Sequence, residues 1–422
     1  MKYLEKMKTK TSFEIIFIAT IGLSFLLWMI FMFLGGPSGN QFNIFFGRCG
    51  NFIADSSNVT GYSSGRDPYH NLIYGLGEKA YLPLTYVIMY FVSRIVNVDS
   101  YAIRDESYFG IVADYKYLAI FLIFIIIIMI FMYTLIQVTK KGKMSIKIMT
   151  AMALCCSAPM IYSIERGNTI IFTVFLCMFY LFYYNSENKI LKELALIALA
   201  SAVGFKMTPA LLGIMLLYNK QFKEAARAVL YGIIIAFGPF LFLHGGFSNI
   251  PLMFDNIALN LKSYTSLDGC TLTASVNRFG KFFDNKFTMT QGLVDNLKTI
   301  TTILSLLLLV VVPFFKTNWE KVAAVVVVLI ILPSHSGEYC VLYMLPVIVM
   351  FLNEEKHRNI DFLYLLCMIM ISWDFVCKAS ELFNYNLAIP IMVVALLVTG
   401  IINIVKTLQN RMFNGKGVEK NE

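Results

Sequence analysis

Long apolar segments recur along this chain, and they constrain its fold more than any other feature. A helix needs about 20 apolar residues to cross the hydrocarbon core of a membrane. Eight segments approach or exceed that length, namely 13–35, 117–138, 147–164, 168–185, 225–243, 299–315, 360–377 and 388–405. Shorter apolar segments lie at 81–96, 191–206, 208–218, 321–333 and 339–352. Because backbone groups inside a membrane must satisfy their own hydrogen bonds, this pattern predicts an all-α, polytopic membrane protein with about twelve transmembrane helices.

The composition agrees with a membrane protein and argues against a soluble or nucleic-acid-binding one. Of the 422 residues, 58% are hydrophobic and only 14% are charged, which is too apolar for a soluble domain of this size. The net charge is +9. However, the Lys and Arg residues lie between apolar segments and at both termini, as the positive-inside rule requires. They form no basic face of the kind that binds nucleic acid, so we expect no nucleic-acid partner.

The distribution of Lys and Arg also predicts which connecting segments face the cytoplasm. Basic residues cluster at both termini and at 220–227, 316–321 and 356–358, which places segments 36–80 and 245–296 on the outer face. We therefore expect one integral-membrane domain over residues 1–422, with two large outer loops at 36–80 and 245–296. Either segment 81–96 is re-entrant or 191–218 is one broken span. The first choice puts the basic segment 140–147 inside, which the charge rule favours.

Two carboxylates follow the first apolar segment and belong to the first outer loop. They are Asp55 and Asp67. Both can be ordinary loop acids, and Asp67-Pro68 has the composition of a turn. An ionised carboxylate at headgroup level can also take a proton from a sugar hydroxyl that attacks an anomeric carbon. The two acids are therefore candidate catalytic bases.

Several short motifs give the chain a resemblance to a known family. In chain order they are Asp55, Gly65-Arg66-Asp67-Pro68-Tyr69, Tyr81-Leu82-Pro83-Leu84, Arg166-Gly167-Asn168, Lys206-Met207-Thr208-Pro209, the segment 263–279 and the segment 332–346. Each motif is short, but together they cover most of the chain in the right order. The chain resembles glycosyltransferase family 87, whose members are polyprenyl-phosphate-mannose-dependent α-mannosyltransferases and their relatives.

The resemblance implies a fold, an activity and a location. The fold would be the type C glycosyltransferase fold. The activity would be inverting transfer of a hexose such as mannose from a polyprenyl-phosphate donor to a glycolipid or glycan acceptor. The protein would be a multi-pass protein of the cell membrane, in a bacterium the cytoplasmic membrane, with its active site facing outward. Asp55 would be the base, with Asp67 as the other candidate, and the resemblance calls for no cofactor and no metal ion.

Cations and polar residues near the predicted outer face are candidates for binding the lipid phosphate. Charge-assisted bonds to a departing phosphate strengthen as its charge develops. Arg278 and Lys262 lie in the second outer loop, and Lys206 lies at a break between two apolar segments, where a cation is costly. In the family the polar element before the last proline places His, or His-Tyr, closer to that proline than His335 stands, so either His335 or Tyr339 is expected to enter the site.

Two other functions fit a polytopic protein with outer loops. One is a polymerase or ligase that joins lipid-linked glycan repeats, and the other is a flippase or transporter for lipid-linked sugars. An acid directly after the first span favours the transferase over the polymerase. A transporter built from inverted repeats would show internal symmetry, and the sequence shows no convincing repeat.

Overall fold

The computed structural model describes residues 9–35, 53–96, 98, 109–263, 267, 269–334, 336–373 and 384–415. Within these ranges the chain is almost entirely helical and contains no β-strand. Two isolated β-bridges occur among the described residues, one between Thr9 and Lys356 and one between Gly269 and Ser336. The all-α prediction is therefore confirmed for this part of the chain.

The α-helices follow the apolar segments closely. In chain order they are α1 (Lys10–Gly35), α2 (Ala54–Ser63), α3 (Pro83–Ile95), α4 (Tyr115–Thr139), α5 (Met144–Cys155), α6 (Ala158–Arg166), α7 (Ile170–Tyr183), α8 (Lys189–Phe205), α9 (Ile214–Tyr218), α10 (Phe222–Phe237), α11 (Asn249–Ser263), α12 (Leu272–Phe283), α13 (Gln291–Val311), α14 (Asn318–Ile331), α15 (Leu345–Phe351), α16 (Asp361–Ser372) and α17 (Asn384–Gly415). Short 3₁₀ turns join several of them, including Thr208–Gly213 before α9 and Glu338–Met344 before α15.

Five helical segments in the described ranges are long and apolar enough to cross a membrane. They are Lys10–Ile30, Tyr115–Thr139, Phe222–Phe242, Gln291–Phe314 and Asn384–Asn410. Helices α5 and α6 meet at a bend of 47° and form a sixth if they are one broken span. Five further apolar helices are only 10–17 residues long. The structure thus supports a membrane-embedded helical protein, and the number of twelve crossings stays a prediction.

Burial separates helices that face lipid from helices that face protein. Only 22% of the apolar window of α4 is buried, so most of its Ile and Phe side chains point outward. Helix α14 is the opposite case, because every residue from Val322 to Ile331 is buried among other helices. Its Trp319 packs edge-on against Phe351 and Tyr364. An apolar helix that is surrounded in this way forms the centre of a bundle.

The predicted outer loops contain helices that the apolar pattern of the sequence did not predict. Segment 245–296 contains α11, α12 and the beginning of α13, and the described part of 36–80 contains α2. These helices are short or polar, so a search for long apolar segments does not find them. Helix α12 begins at a Thr271 cap, whose side chain accepts a hydrogen bond from the backbone N–H of Ala274.

Three of the segments that the charge rule placed inside meet at one end of the bundle, namely the beginning of α1, the segment after α4 and the segment around 356–358. We call this the charged junction and define it by Glu14, Lys140, Glu320, Arg358 and Asp361. Lys140 donates to Glu14, and the Arg358 guanidinium lies 2.7 Å from both Glu320 and Asp361. The junction ties the N-terminal helix and the loop after α4 to the segment between α15 and α16.

Candidate active site

A cavity of about 590 Å³ lies at the opposite end of the bundle. Its wall is built from the start of α2, the segment before α3, the C-terminal ends of α6 and α8, helix α12 and the 3₁₀ turn before α15. Charged side chains of both signs line it, namely Asp55, Glu78, Arg166, Lys206, Arg278 and Glu338. Segments far apart in the sequence therefore bring three acidic and three basic side chains to one cavity.

A glycine turn places Asp55 at the cavity wall. Helix α6 ends at Gly167, which has φ +63°, a left-handed conformation that glycine adopts at little cost. A Cβ atom at this position would lie 2.8 Å from the Ile53 side chain and 3.0 Å from Ser56. The bare glycine thus allows the first turn of α2, which carries Asp55, to pack directly on the end of α6. The Tyr117 hydroxyl adds a 2.8 Å hydrogen bond to Ser56 from the start of α4.

Both oxygens of the Asp55 carboxylate accept a hydrogen bond from that same turn. Arg166 Nη2 lies 2.5 Å from Asp55 Oδ1, and Asn168 Nδ2 lies 2.6 Å from Asp55 Oδ2. Charge-assisted bonds of this length are among the stronger ones in proteins. The carboxylate is therefore held from two sides while it still lines the cavity.

Lys206 contributes a cation that lies over two aromatic rings. It follows the last residue of α8, where the backbone leaves the helix before Pro209. Its Nζ lies 5.3 Å from the centre of the Tyr81 ring and 5.1 Å from that of Tyr339. Within the described ranges no carboxylate forms an ion pair with Lys206. Its charge is stabilised by the faces of two rings, which leaves it able to attract an anion.

Arg278 and Glu338 form an ion pair on another part of the wall. Arg278 is buried, with 3% of its surface exposed, and its Nη2 lies 3.4 Å from Glu338 Oε1. The Tyr162 hydroxyl donates to the other oxygen of Glu338 at 3.0 Å. The positive charge of Arg278 is thus already balanced by an acid, unlike that of Lys206.

A close backbone contact holds this pair in place. Cys270 donates its N–H to the Ser336 carbonyl at 2.8 Å, beside the bridge between Gly269 and Ser336. Gly269 has φ +89°, and a Cβ there would lie 1.9 Å from the Ser336 oxygen, so only glycine fits. The contact fixes the start of α12, and hence Arg278, against the turn that carries Glu338.

Lys79 stabilises the rim of the cavity next to Glu78. Its buried ammonium donates to the carbonyls of Ile73 and, at 2.7 Å, Gly75, and lies 4.1 Å from the centre of the Tyr62 ring. Burial lowers the pKa of Lys79 to about 8, because the charged form loses its hydration. These contacts with Lys79 hold the segment between α2 and α3 together.

The structure brings four of the predicted site residues together. Asp55, Lys206, Arg278 and Tyr339 all line the cavity. Asp67 does not line it. Its carboxylate lies 2.7 Å from His70 Nδ1 in an exposed turn, which the Asp-Pro sequence indicated.

Two other predicted residues are not part of the cavity wall as described. Lys262 is exposed at the end of α11 and does not line the cavity. His335 lies outside the described residues, so of the two alternatives for this position the structure places only Tyr339.

Sequence reasoning missed the residues that surround the predicted ones. Arg166 and Asn168 belong to a motif that the resemblance identified, but they were assigned no role. Glu338 and Tyr162 were not singled out either, although each is a polar residue next to an apolar segment. That position was the available signal, because polar groups are costly there unless they have partners.

No three His, Cys, Asp or Glu side chains of the described ranges lie close enough together to hold a metal ion.

The family of the chain follows from comparison with known proteins. The sequence model of glycosyltransferase family 87 matches residues 109–352, more than half of the chain. The chain belongs to glycosyltransferase family 87. No curated protein matches it, and no solved structure does. The expected resemblance is confirmed, and the protein is a membrane glycosyltransferase.

The matched region does not cover every wall of the cavity. It includes Arg166, Asn168, Lys206, Arg278 and Glu338. Asp55, on α2, precedes it. The placement of Asp55 in the cavity therefore comes from the structure and is independent of the family match.

Proposed function

We propose that this glycosyltransferase moves a hexose such as mannose from a polyprenyl-phosphate donor to a hydroxyl of a glycolipid or glycan acceptor. The observation that carries the proposal is one cavity lined both by a held carboxylate, Asp55, and by a cation, Lys206, that forms no ion pair in the described ranges. A base for the acceptor and a cation for the leaving phosphate are what such a transfer needs.

In the proposed reaction, Asp55 takes the proton of the acceptor hydroxyl as its oxygen attacks the anomeric carbon. A new carbon–oxygen bond forms on one face while the bond to the phosphate oxygen breaks on the other, which inverts the configuration. The phosphate leaves with the bonding electron pair. It needs no proton, because a phosphate monoester is stable as an anion.

Lys206 is the residue that we assign to the leaving phosphate. Arg278 was the first candidate on sequence grounds, but its charge is balanced by Glu338 at 3.4 Å. Lys262 lies away from the cavity. An ammonium between two tyrosine rings can turn toward an oxyanion without first breaking an ion pair, and its effect grows as charge develops on the phosphate.

We further propose that the cavity opens to the outer face of the membrane. Basic residues of α1, of the segment after α4 and of 356–358 lie at or beside the charged junction, and the positive-inside rule assigns that end to the cytoplasm. The cavity lies at the other end of α4, whose length matches a membrane span.

Single cysteines test this orientation. In a variant without native cysteines, Gly65→Cys and Ser248→Cys should react with an impermeant thiol reagent in intact cells, and Lys143→Cys should react only after lysis. All three positions are exposed. Labelling in the reverse order would put the cavity on the cytoplasmic face.

The function itself is tested with purified protein in detergent or lipid nanodiscs. The protein is incubated with a panel of polyprenyl-phosphate sugars and a lipid extract, and the products are identified by mass spectrometry. We expect one sugar to be added to one class of acceptor, with loss of the sugar from the lipid phosphate. Movement of intact lipid-linked sugar without bond cleavage would indicate a flippase. Joining of preassembled repeats would indicate a polymerase.

A further inference from the structure

We propose that Arg166 and Asn168 are positioning residues that hold the two oxygens of the Asp55 carboxylate in the orientation needed to accept the acceptor proton. This inference rests on the proposed function, because it assigns Asp55 as the base. It explains how the Asp55 carboxylate is oriented. It also gives Arg166 a different role from that of a cation that contacts the donor.

The two donors come from one rigid turn. Arg166 is the last residue of α6, Gly167 adopts the left-handed conformation that ends the helix, and Asn168 follows. Asn168 Oδ1 accepts the backbone N–H of Ile170 at 2.9 Å, which leaves Nδ2 to face Asp55. The amide is therefore fixed by the backbone of the next helix before it contacts the carboxylate.

The carboxylate keeps room for the acceptor. Its two oxygens offer about four lone-pair positions, and Arg166 and Asn168 occupy one on each oxygen. The remaining positions can face the cavity that Asp55 lines. A hydroxyl can thus bind without displacing either donor, and it meets an oxygen whose direction is already set. Such preorganisation matters because a misplacement of about 1 Å can cost roughly 100-fold in rate.

Arg166 could instead be a direct ligand of the donor phosphate, since it also lines the cavity. The geometry favours the indirect role. Its guanidinium lies 2.5 Å from Asp55, so its charge is already engaged, whereas Lys206 has no acidic partner in the described ranges. A phosphate would have to compete with Asp55 for Arg166 and would pull the base out of position.

A double-mutant cycle separates the two roles. We expect Arg166→Gln and Asn168→Ala each to lower kcat about 10- to 100-fold, while the KM for the donor stays within about threefold. In the Asp55→Asn background, residual transfer is followed with radiolabelled donor over hours. There the same changes should cause little further loss, because residues that act through one group are not additive.

The outcomes decide the assignment. A donor KM that rises about tenfold or more in Arg166→Gln, or a loss that multiplies with that of Asp55→Asn, would make Arg166 a donor ligand and overturn the proposal. Wild-type kcat in both single variants would overturn it as well. If Asp55→Asn leaves no measurable rate, kcat and the donor KM of the single variants decide alone.

Two controls keep the test free of folding effects. Asn168→Ala removes a neutral side chain, so it tests the inference even if Arg166→Gln does not fold, and the thermal unfolding of each variant is compared with wild type. If Asp55→Asn itself retains wild-type activity, the proposed function fails. If Asp55→Asn is inactive but Arg166→Gln and Asn168→Ala are fully active, only this inference fails.

Discussion

The cavity and the charged junction both bury charged side chains, but they use them differently. They lie at opposite ends of α4. Tyr117, near its start, bonds to Ser56 beside Asp55, and Lys140 follows its last residue. At a rise of about 1.5 Å per residue, the two ends of this helix are roughly 35 Å apart.

At the junction, buried charges are matched and enclosed. The side chains of Glu14, Lys140 and Glu320 are almost completely buried, and each is paired with a group of opposite charge. Lys140 also donates to the carbonyls of Lys141 and Leu352, which satisfies its remaining hydrogens. Breaking such a pair leaves an uncompensated charge in the interior.

At the cavity, the ion pairs lie beside an accessible volume and beside a cation, Lys206, that forms no ion pair in the described ranges. Asp55 and Arg166 are paired, but both border a cavity of about 590 Å³. Lys206 also lines it and lies over two tyrosine rings. The two regions share buried ion pairs. They differ in the accessible volume that Asp55 and Lys206 line, and this volume makes the cavity the candidate active site.

The largest effect on activity is expected from substitution of Asp55, the proposed base. Asp55→Asn should lower kcat by about 10² to 10⁴, since removing a general base typically costs that much. Folding should be unchanged, because an amide can keep part of the contact with Arg166. Asp67→Asn is the matched control and should transfer sugar at close to the wild-type rate. Near-wild-type turnover of Asp55→Asn together with an inactive Asp67→Asn would make Asp67 the base and would place the chemistry outside the cavity.

Loss of a junction charge should affect stability and leave the chemistry intact. Lys140→Met leaves Glu14 buried without a cation, which should lower the free energy of unfolding by about 3–5 kcal/mol. The rate per folded molecule should stay unchanged, as measured on protein that survives size-exclusion chromatography. Lys141→Met, at an exposed neighbouring position, should change neither quantity. A reduced rate for folded Lys140→Met would show that the junction communicates with the cavity.

Loss of the Lys206 charge in the cavity should have the opposite effect, lowering activity and leaving stability intact. Lys206→Met should lower kcat/KM for the donor roughly 10- to 100-fold, since a bond to a charged group contributes about 1.5–3 kcal/mol. Stability should not fall, because an apolar side chain between two rings avoids the cost of burying a charge. Lys262→Met provides the control at an exposed position. Equal kinetics for Lys206→Met and wild type would return Arg278 as the candidate for the phosphate.

The smallest effect is expected from two glycines that both have positive φ, Gly167 at +63° and Gly142 at +123°. An alanine is strained at either position, and in the left-handed region of Gly167 the strain costs about 1–2 kcal/mol. Only at Gly167 would the new Cβ also press on the turn that carries Asp55. We therefore expect a reduced kcat for Gly167→Ala alone, although both variants should unfold at a lower temperature than the wild type. Equal kcat values would show that the placement of α2 tolerates such a shift.

Sequence reasoning located the long apolar elements well. Segment 117–138 was predicted and α4 runs from Tyr115 to Thr139, and segment 168–185 contains α7. This succeeds because the length of an apolar segment is a local property that burial in protein or in lipid rewards equally. The bend between α5 and α6 was not predicted, although Pro159 next to it limits the continuation of a helix.

The sequence also located part of the site, because acids and cations beside apolar segments are rare enough to be noticed. It named Asp55, Lys206, Arg278 and Tyr339, which the structure places around one cavity. It could not separate Asp55 from Asp67, since both are acids in the same predicted loop. The structure separates them, with Asp55 at the cavity wall and Asp67 beside His70 in an exposed turn.

By itself, the sequence determined the helical class, the membrane environment and the family, because these depend on local apolar length and on short motifs read in order. Tertiary structure alone decided which polar side chains meet. Asp55 and its partners Arg166 and Asn168 are separated by 111 and 113 positions, and they meet because Gly167 lets two helix ends touch. Helix α2 is polar in sequence yet buried in the fold. Its position depends on contacts with distant elements, and no local pattern records those contacts.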